Sequence, residues 1–189
     1  MKKKVMIFLA VIIFIVAAAA YAVIDRTTDI YNSEIDSSDY VAVGLAEGGI
    51  VEQEFLSTED YLDGMAVKLD ASGNTDKILL DYKLVEKSSG KEIAVGETSL
   101  KDVRSGKFFS LQFDRADGCE DKDYIFQMEV KECDENSVVS VYYADEILVA
   151  RTIRHGFDLE TFIITACFAA YIVLFMKWLS KLFNQGNRG

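Results

Sequence analysis

The sequence predicts an all-β domain, an antiparallel β-sandwich of seven to eight strands, flanked by two membrane-spanning α-helices. Three observations predict it. The 189-residue chain is 50% hydrophobic yet carries a net charge of −11, so apolar and charged residues must be segregated along it. The segregation is into blocks: residues 25–156 hold 29 acidic and 14 basic side chains, a net charge of −15, whereas both ends are apolar and bounded by Lys or Arg. The middle block repeats short runs of alternating apolar and polar residues separated by turn residues. This balance excludes a nucleic-acid binder, which needs a basic stripe to displace counterions from phosphates. It also excludes a multi-domain soluble enzyme.

Residues 1–4 form a basic N-terminus with Lys2, Lys3 and Lys4, and residues 5–24 are twenty positions without a charge. As a helix rising about 1.5 Å per residue they span the roughly 30 Å hydrocarbon core of a bilayer. Lysines before the span and Asp25 after it keep the N-terminus in the cytoplasm and send the middle block outward. A cleaved signal peptide is the competing reading, because Ala20 and Ala22 flank Tyr21 as a small-x-small site. The apolar run exceeds the usual length of about 7–15 residues, which favours an uncleaved anchor. The second span is expected over 159–182, with Asp158 and Glu160 at its start, Lys177 and Lys181 at its end, and a cytoplasmic tail over 183–189. Trp178 fits an interfacial anchor. Ala18 and Ala22 of the first span and Ala166 and Ala170 of the second offer small faces on which the two helices would pack as a hairpin. Both termini are then cytoplasmic, the central domain extracytoplasmic, and the lipid bilayer a necessary partner.

Residues 25–48 are acidic and weakly periodic, and read as a stalk with one added strand at 40–43. Residues 49–154 read as the sandwich. Val51, Gln53 and Phe55 alternate with Glu52 and Glu54, and Met65, Val67 and Leu69 with Ala66, Lys68 and Asp70. Leu80, Tyr82 and Leu84 face away from Asp81 and Lys83. Further strands fall at 93–100, at Phe109, Leu111 and Phe113, at Tyr124, Phe126, Met128 and Val130, and at Val139, Val141 and Tyr143. An eighth fits 147–153. With no helix-period segment between them, these strands favour an antiparallel sandwich, and about 100 residues suffice to bury one core.

Three pieces of this block carry a resemblance: Gln53-Glu54-Phe55, Leu62-Asp63-Gly64-Met65 and Phe109-Ser110-Leu111-Gln112-Phe113. Spread over about half the chain, they resemble the extracytoplasmic jelly-roll modules of bacterial membrane glycosyltransferases and surface-polysaccharide proteins. The resemblance implies a jelly roll and points to carbohydrate; a fold alone does not establish a ligand.

The residues give enzyme chemistry little support. His155 is the single histidine and sits beside the second span, where a solvated juxtamembrane role is the plain alternative to a triad. Carboxylate pairs are unavoidable among so many acidic residues and therefore uninformative. No phosphate-binding glycine loop or zinc-type Cys/His spacing occurs. Cys119 and Cys133 flank a strand that carries them roughly 26 Å apart, far beyond the reach of a disulfide, which needs Cα atoms within about 7 Å. Asp114, Asp117, Asp121 and Asp123, with Glu120 and the turn-permitting Gly118, form the densest acidic loop. Calcium prefers such oxygens, so a structural calcium ion is the one cofactor the sequence offers. Phe113 and Arg115 break the EF-hand register, however, and a solvated hairpin loop explains the same residues. Sugar faces stack on exposed rings, and alternation assigns Tyr82 and Tyr143 to the core, leaving Tyr61 and Tyr142 as candidate ligand-binding platforms.

The expectation is therefore a bacterial membrane-anchored accessory protein, not an enzyme, that binds carbohydrate in cell-surface polysaccharide assembly. The alternative is a structural or regulatory subunit that binds no sugar and docks onto a membrane-protein partner through its helical hairpin.

Overall fold

The computed structural model describes residues 2–186, with side chains at Leu9 and over 11–179. The chain forms two compact units, Arg26–Arg154 and Met1–Asp25 with His155–Gly189.

Among the described residues there are eleven strands: β1 (Val23–Asp29), β2 (Val41–Leu45), β3 (Ile50–Ser57), β4 (Tyr61–Ser72), β5 (Leu79–Glu86), β6 (Lys91–Ser99), β7 (Lys107–Asp117), β8 (Lys122–Glu132), β9 (Val138–Ala144), β10 (Ile147–Leu148) and β11 (Ala150–Phe157). They make a two-sheet, jelly-roll-like sandwich. One sheet has four strands in the order β3-β8-β5-β6. The other has seven: β4 pairs with β7 along one edge, while its other edge is shared by β11 over Gly64 to Val67 and by β9 over Leu69 to Ser72. β2 flanks β9 on the outside.

Alternation decides the core. Val51, Leu80, Leu84, Leu111, Phe126, Met128 and Val141 are all buried between the sheets, and each was an inward position of the sequence pattern. Gln53 shares that inward face. Its Oε1 accepts the Leu148 N–H at 2.8 Å, tying β3 of one sheet to β10 of the other. A second tie is the Tyr82 hydroxyl of β5, which donates to the Gln112 carbonyl of β7. Gly64 sits at a bulge where β4 meets β7, and a Cβ there would lie 2.7 Å from the Leu111 carbonyl oxygen. Only a residue without a side chain lets the two backbones approach so closely.

Three sequence expectations need correcting. Residues 25–48 are not a free stalk: they supply part of β1, a 3-10 turn at Ser37–Asp39, and β2. Tyr31 is buried and, with Ile35 and Tyr40, covers Ala144 and Val149 as a second small core. The segment lacks strand periodicity because it works as a cover, burying scattered aromatics instead of one face of a strand. The expected eighth strand at 147–153 is broken in two. Val149 lies in the fork between β4 and β9, donating to the Tyr142 carbonyl at 2.8 Å and accepting from the Lys68 N–H at 2.9 Å, so it belongs to neither flanking ladder.

The third correction concerns the helices, α1 (Lys2–Tyr21) and α2 (Leu159–Gly186). The expected first span over 5–24 stops at Tyr21, because the β-branched Val23 and Ile24 join β1. One helix among the described residues, Leu159–Leu179, is long and apolar enough to cross a membrane; the N-terminal helix contributes a shorter apolar stretch, Val11–Tyr21. Asp158 caps α2, its Oδ1 accepting the Thr161 N–H at 2.9 Å. The side chains of Lys2, Lys3, Lys4 and Lys181, and residues 187–189 of the expected tail, lie outside the described residues.

Candidate functional site

The outer face of the four-stranded sheet forms an open groove of about 550 Å³. Strand register assembles it as two rows. Glu52, Gln127, Lys83 and Val95 lie opposite one another across β3, β8, β5 and β6, and beside them run Ile50, Glu129, Asp81 and Glu97. Each is an outward position of the alternating pattern, so folding the core fixes the row. Lys131, two residues beyond Glu129, reaches back over the second row, with Nζ 2.6 Å from Glu97 and 3.3 Å from Asp81.

These side chains hold one another. The Gln127 amide nitrogen donates to Glu52, and Lys83 pairs with Glu92 at 3.1 Å. Three carboxylates in line, Glu129, Asp81 and Glu97, would repel, and Lys131 offsets that repulsion. The hydrogen bond and charge of Lys131 hold the Glu97 carboxyl below the usual carboxylate range, and Glu97 with Asp81 raises the Lys131 ammonium above its ordinary value. Exposed pairs of this kind contribute little stability, because water and salt screen them. Their effect here is to orient donors and acceptors along a groove whose ends are the exposed Ile50 and Val95. Tyr82 is the one aromatic residue lining it, and its hydroxyl reaches the opposite sheet.

Neither Tyr61 nor Tyr142 lines this groove. Tyr61 opens β4, with the guanidinium carbon of Arg115 4.0 Å and that of Arg154 5.5 Å from its ring centre. Arg115 is held in turn by a two-pronged pair with Asp63 at 2.8 and 3.1 Å, and Arg154 by Glu59 at 2.7 Å. Tyr142 lies on the outer face of the seven-stranded sheet, where its hydroxyl donates to Asp70. The Lys68 ammonium sits 5.5 Å from the Tyr142 ring centre and 4.6 Å from that of Tyr40. Around them, Tyr31 meets Tyr40 edge-on at 6.0 Å, and Arg151 lies 4.0 Å over Phe108. The neighbouring Tyr31 hydroxyl pushes the Tyr40 phenol up to about 12. The rings expected to stack on sugar thus already carry cations of the same chain.

The acidic loop does not gather its carboxylates. Asp114 and Asp117 end β7, Asp123 lies in β8, and Asp121 occupies the left-handed turn between them with φ 57°. The loop is pinned through its backbone, as the Cys119 and Asp121 N–H groups donate to the Asp60 and Ser57 carbonyls at 2.8 and 2.9 Å. No three His, Cys, Asp or Glu side chains come together to hold a metal among the described residues. Cys119 and Cys133 are free thiols, the first buried. His155 Nδ1 lies 2.6 Å from Asp25 in an exposed pair. In the helical unit Ala18 and Ala22 are buried, Ala166 is half-buried and Ala170 exposed. Val11, Phe14 and Ile15 of α1 face Ala166, Ala169 and Ala170 of α2 across an apolar groove of about 390 Å³.

The residues that sequence reasoning passed over are Glu52, Asp81, Lys83, Gln127, Glu129 and Lys131. Alternation marks each as outward, which is the signal that could have found them. Assembling them requires knowing that strands 50–57, 79–86, 91–99 and 122–132 are neighbours, and no local pattern carries that.

No protein-family model matches the sequence, and no curated protein matches it. Solved structures similar to part of it include the mosquito-larvicidal Cry4Aa toxin of Bacillus thuringiensis, at 5% identity and a TM-score of 0.41 over 70% of this chain and 23% of that one. The chain therefore spans about a quarter of the toxin's length. A structure of the carbohydrate-binding module CBM4 aligns at 11% identity and a TM-score of 0.35, over 72% of this chain and 83% of that one. The Yersinia pseudotuberculosis-derived mitogen aligns at 8% identity and a TM-score of 0.32, over 70% and 88%.

Proposed function

We propose that this chain is a membrane-anchored accessory protein whose extracytoplasmic β-sandwich binds a hydroxyl-rich ligand of the carbohydrate class in the groove of the four-stranded sheet. The observation that carries this reading is the pair of cross-strand rows, Glu52-Gln127-Lys83-Val95 and Ile50-Glu129-Asp81-Glu97. A sugar hydroxyl both donates and accepts, and the rows offer carboxylate acceptors beside ammonium and amide donors. Ile50 and Val95 supply apolar surface for C–H faces. The volume of about 550 Å³ is that of a small-molecule site. In this reading the groove binds and orients its ligand, with Lys131 paired to Glu97 at 2.6 Å across its floor. Binding needs no calcium. The anchor is α2, with its 21-residue apolar stretch, together with the apolar part of α1. The lysines at both outer ends set both termini in the cytoplasm.

A second reading, a structural or regulatory subunit docking through its helices, is favoured by the apolar groove beside Ala166, Ala169 and Ala170, a face on which another helix packs closely.

The test is a glycan array probed with the full chain in detergent micelles, with calcium and with chelator. The expected result is saturable binding that is unaffected by chelator, lost in Gln127→Leu and Lys131→Met, and kept in Tyr142→Phe. A folded chain that binds no glycan, while crosslinking in membranes captures a helical partner, would sink the first reading and support the second.

A further inference from the structure

β2 is an edge strand that pairs with β9 on one side only, and Val41, Ala42, Val43 and Gly44 are exposed. Unpaired N–H and C=O groups on such an edge are a template for another strand, and proteins usually guard them with charge, proline or a bulge. The other edges are guarded, β10 by being only two residues long and the rest by charge. β1 carries Asp25, Arg26 and Asp29; β3 carries Glu52 and Glu54; β6 carries Lys91, Glu92 and Glu97; β7 carries Lys107, Asp114, Arg115 and Asp117. β2 reads Val-Ala-Val-Gly-Leu, with no charge, no proline and no register shift against β9. A Cβ at Gly44 would meet open space.

The ends of this bare edge are acidic. Beyond Val41 lie Asp36 and Asp39 of the preceding turn, and Asp145 and Glu146 in the turn that follows its partner β9. Beyond Leu45 comes Glu47, which borders a shallow hollow of about 590 Å³ with Asp76, Glu132 and Asp134 and the single cation Lys77. A second copy of this chain is a poor occupant. Antiparallel pairing of two β2 strands sets the Asp39 end of each against the Glu47 end of the other, like charge on like charge.

We propose that β2 is the docking edge for an extended strand of a partner protein, uncharged at its centre and carrying Lys or Arg at both ends. The partner adds to the seven-stranded sheet through main-chain hydrogen bonds, and the acidic ends select it electrostatically. This inference does not rest on the carbohydrate reading, since the groove lies on the other sheet.

The test uses the full chain in detergent micelles and a fluorescent synthetic peptide, Lys-Lys-Thr-Val-Thr-Val-Thr-Lys-Lys, followed by anisotropy. The expected result is saturable binding that weakens with added salt and falls about tenfold or more in both Val43→Lys and Ala42→Lys. The same peptide with Glu at its ends should not bind. Both substituted sites are exposed, so an unchanged melting temperature shows that the variants are folded. Absence of binding to the parent chain, or equal binding by folded Val43→Lys, would overturn the proposal. Self-association of the parent chain that Val43→Lys abolishes, without peptide binding, would overturn it in favour of a second copy.

Discussion

The ring of Tyr82 lies across the bare backbone of Gly96, directly opposite it in the β5–β6 ladder. A Cβ at Gly96 would fall 2.4 Å from both the Tyr82 hydroxyl and its ring carbon Cζ. That approach lets the hydroxyl reach the Gln112 carbonyl in the opposite sheet, and burial pushes the Tyr82 phenol above its ordinary value. Gly96→Ala forces the ring aside and is expected to destabilise the sandwich by about 1–3 kcal/mol. Tyr82→Phe, which removes only the hydrogen bond, is expected to cost about 1 kcal/mol. Urea unfolding of the full chain in micelles, followed by near-UV circular dichroism, measures both; an unperturbed Gly96→Ala would contradict the packing.

Gln53 should behave as a structural residue although it is polar and sits beside the glutamates of β3. Gln53→Leu leaves the Leu148 N–H without its acceptor at 2.8 Å, at an expected cost of about 1–3 kcal/mol. Glu52→Gln, on the opposite face of the same strand, should change stability by less than about 0.5 kcal/mol. Equal effects from the two would mean that the inter-sheet tie contributes nothing.

The β9–β10 hairpin turns through Asp145 and Glu146, with φ 48° and 66°. Two consecutive left-handed residues make the tight hairpin turn that Asn-Gly suits best, and each non-glycine there costs roughly 1–2 kcal/mol. Glu146→Gly should therefore raise the melting temperature, with a gain of about 0.5–1 kcal/mol after the added freedom of the unfolded chain is subtracted. A lower melting temperature would contradict the assigned turn.

Asp70 links three elements. Burial opposes its charge, but hydrogen bonds from the Tyr142 and Ser105 hydroxyls and the Gly106 N–H outweigh burial and hold the carboxyl below the usual carboxylate range. A carboxyl depressed in the fold contributes stability above its unfolded pKa of about 3.9, and that contribution is lost as pH falls through the lower folded value. Tyr142→Phe should accordingly be less stable than the parent by about 1 kcal/mol at pH 7, with the difference shrinking at acid pH below both values. Urea midpoints of the two proteins across that range check it, and a difference independent of pH would rule out the Asp70 link.

Much of the sandwich is legible in the sequence because both sheets bury one face. Leu80, Tyr82 and Leu84, or Phe126, Met128 and Val130, declare themselves by period two alone. β1 is not legible. Val23 and Ile24 continue an apolar helix, Asp25 to Asp29 is polar, and the pairing with β11 joins opposite ends of the chain. The candidate site is half legible. Each residue of the two cross-strand rows is marked outward by alternation, but Glu52, Lys83 and Gln127 meet only through ladders between strands tens of residues apart. Tyr61 and Tyr142 stand out as exposed rings in the sequence, and what the sequence hides is that Arg115, Arg154 and Lys68 already lie over them.

Amide hydrogen exchange of the full chain in micelles, with and without a mixture of neutral oligosaccharides, tests the groove most directly. The account predicts added protection confined to Leu79–Glu86 and Lys122–Glu132, the two central strands beneath the groove. Protection centred instead on Val138–Ala144, around Tyr142, or no change anywhere in the sandwich, would contradict it.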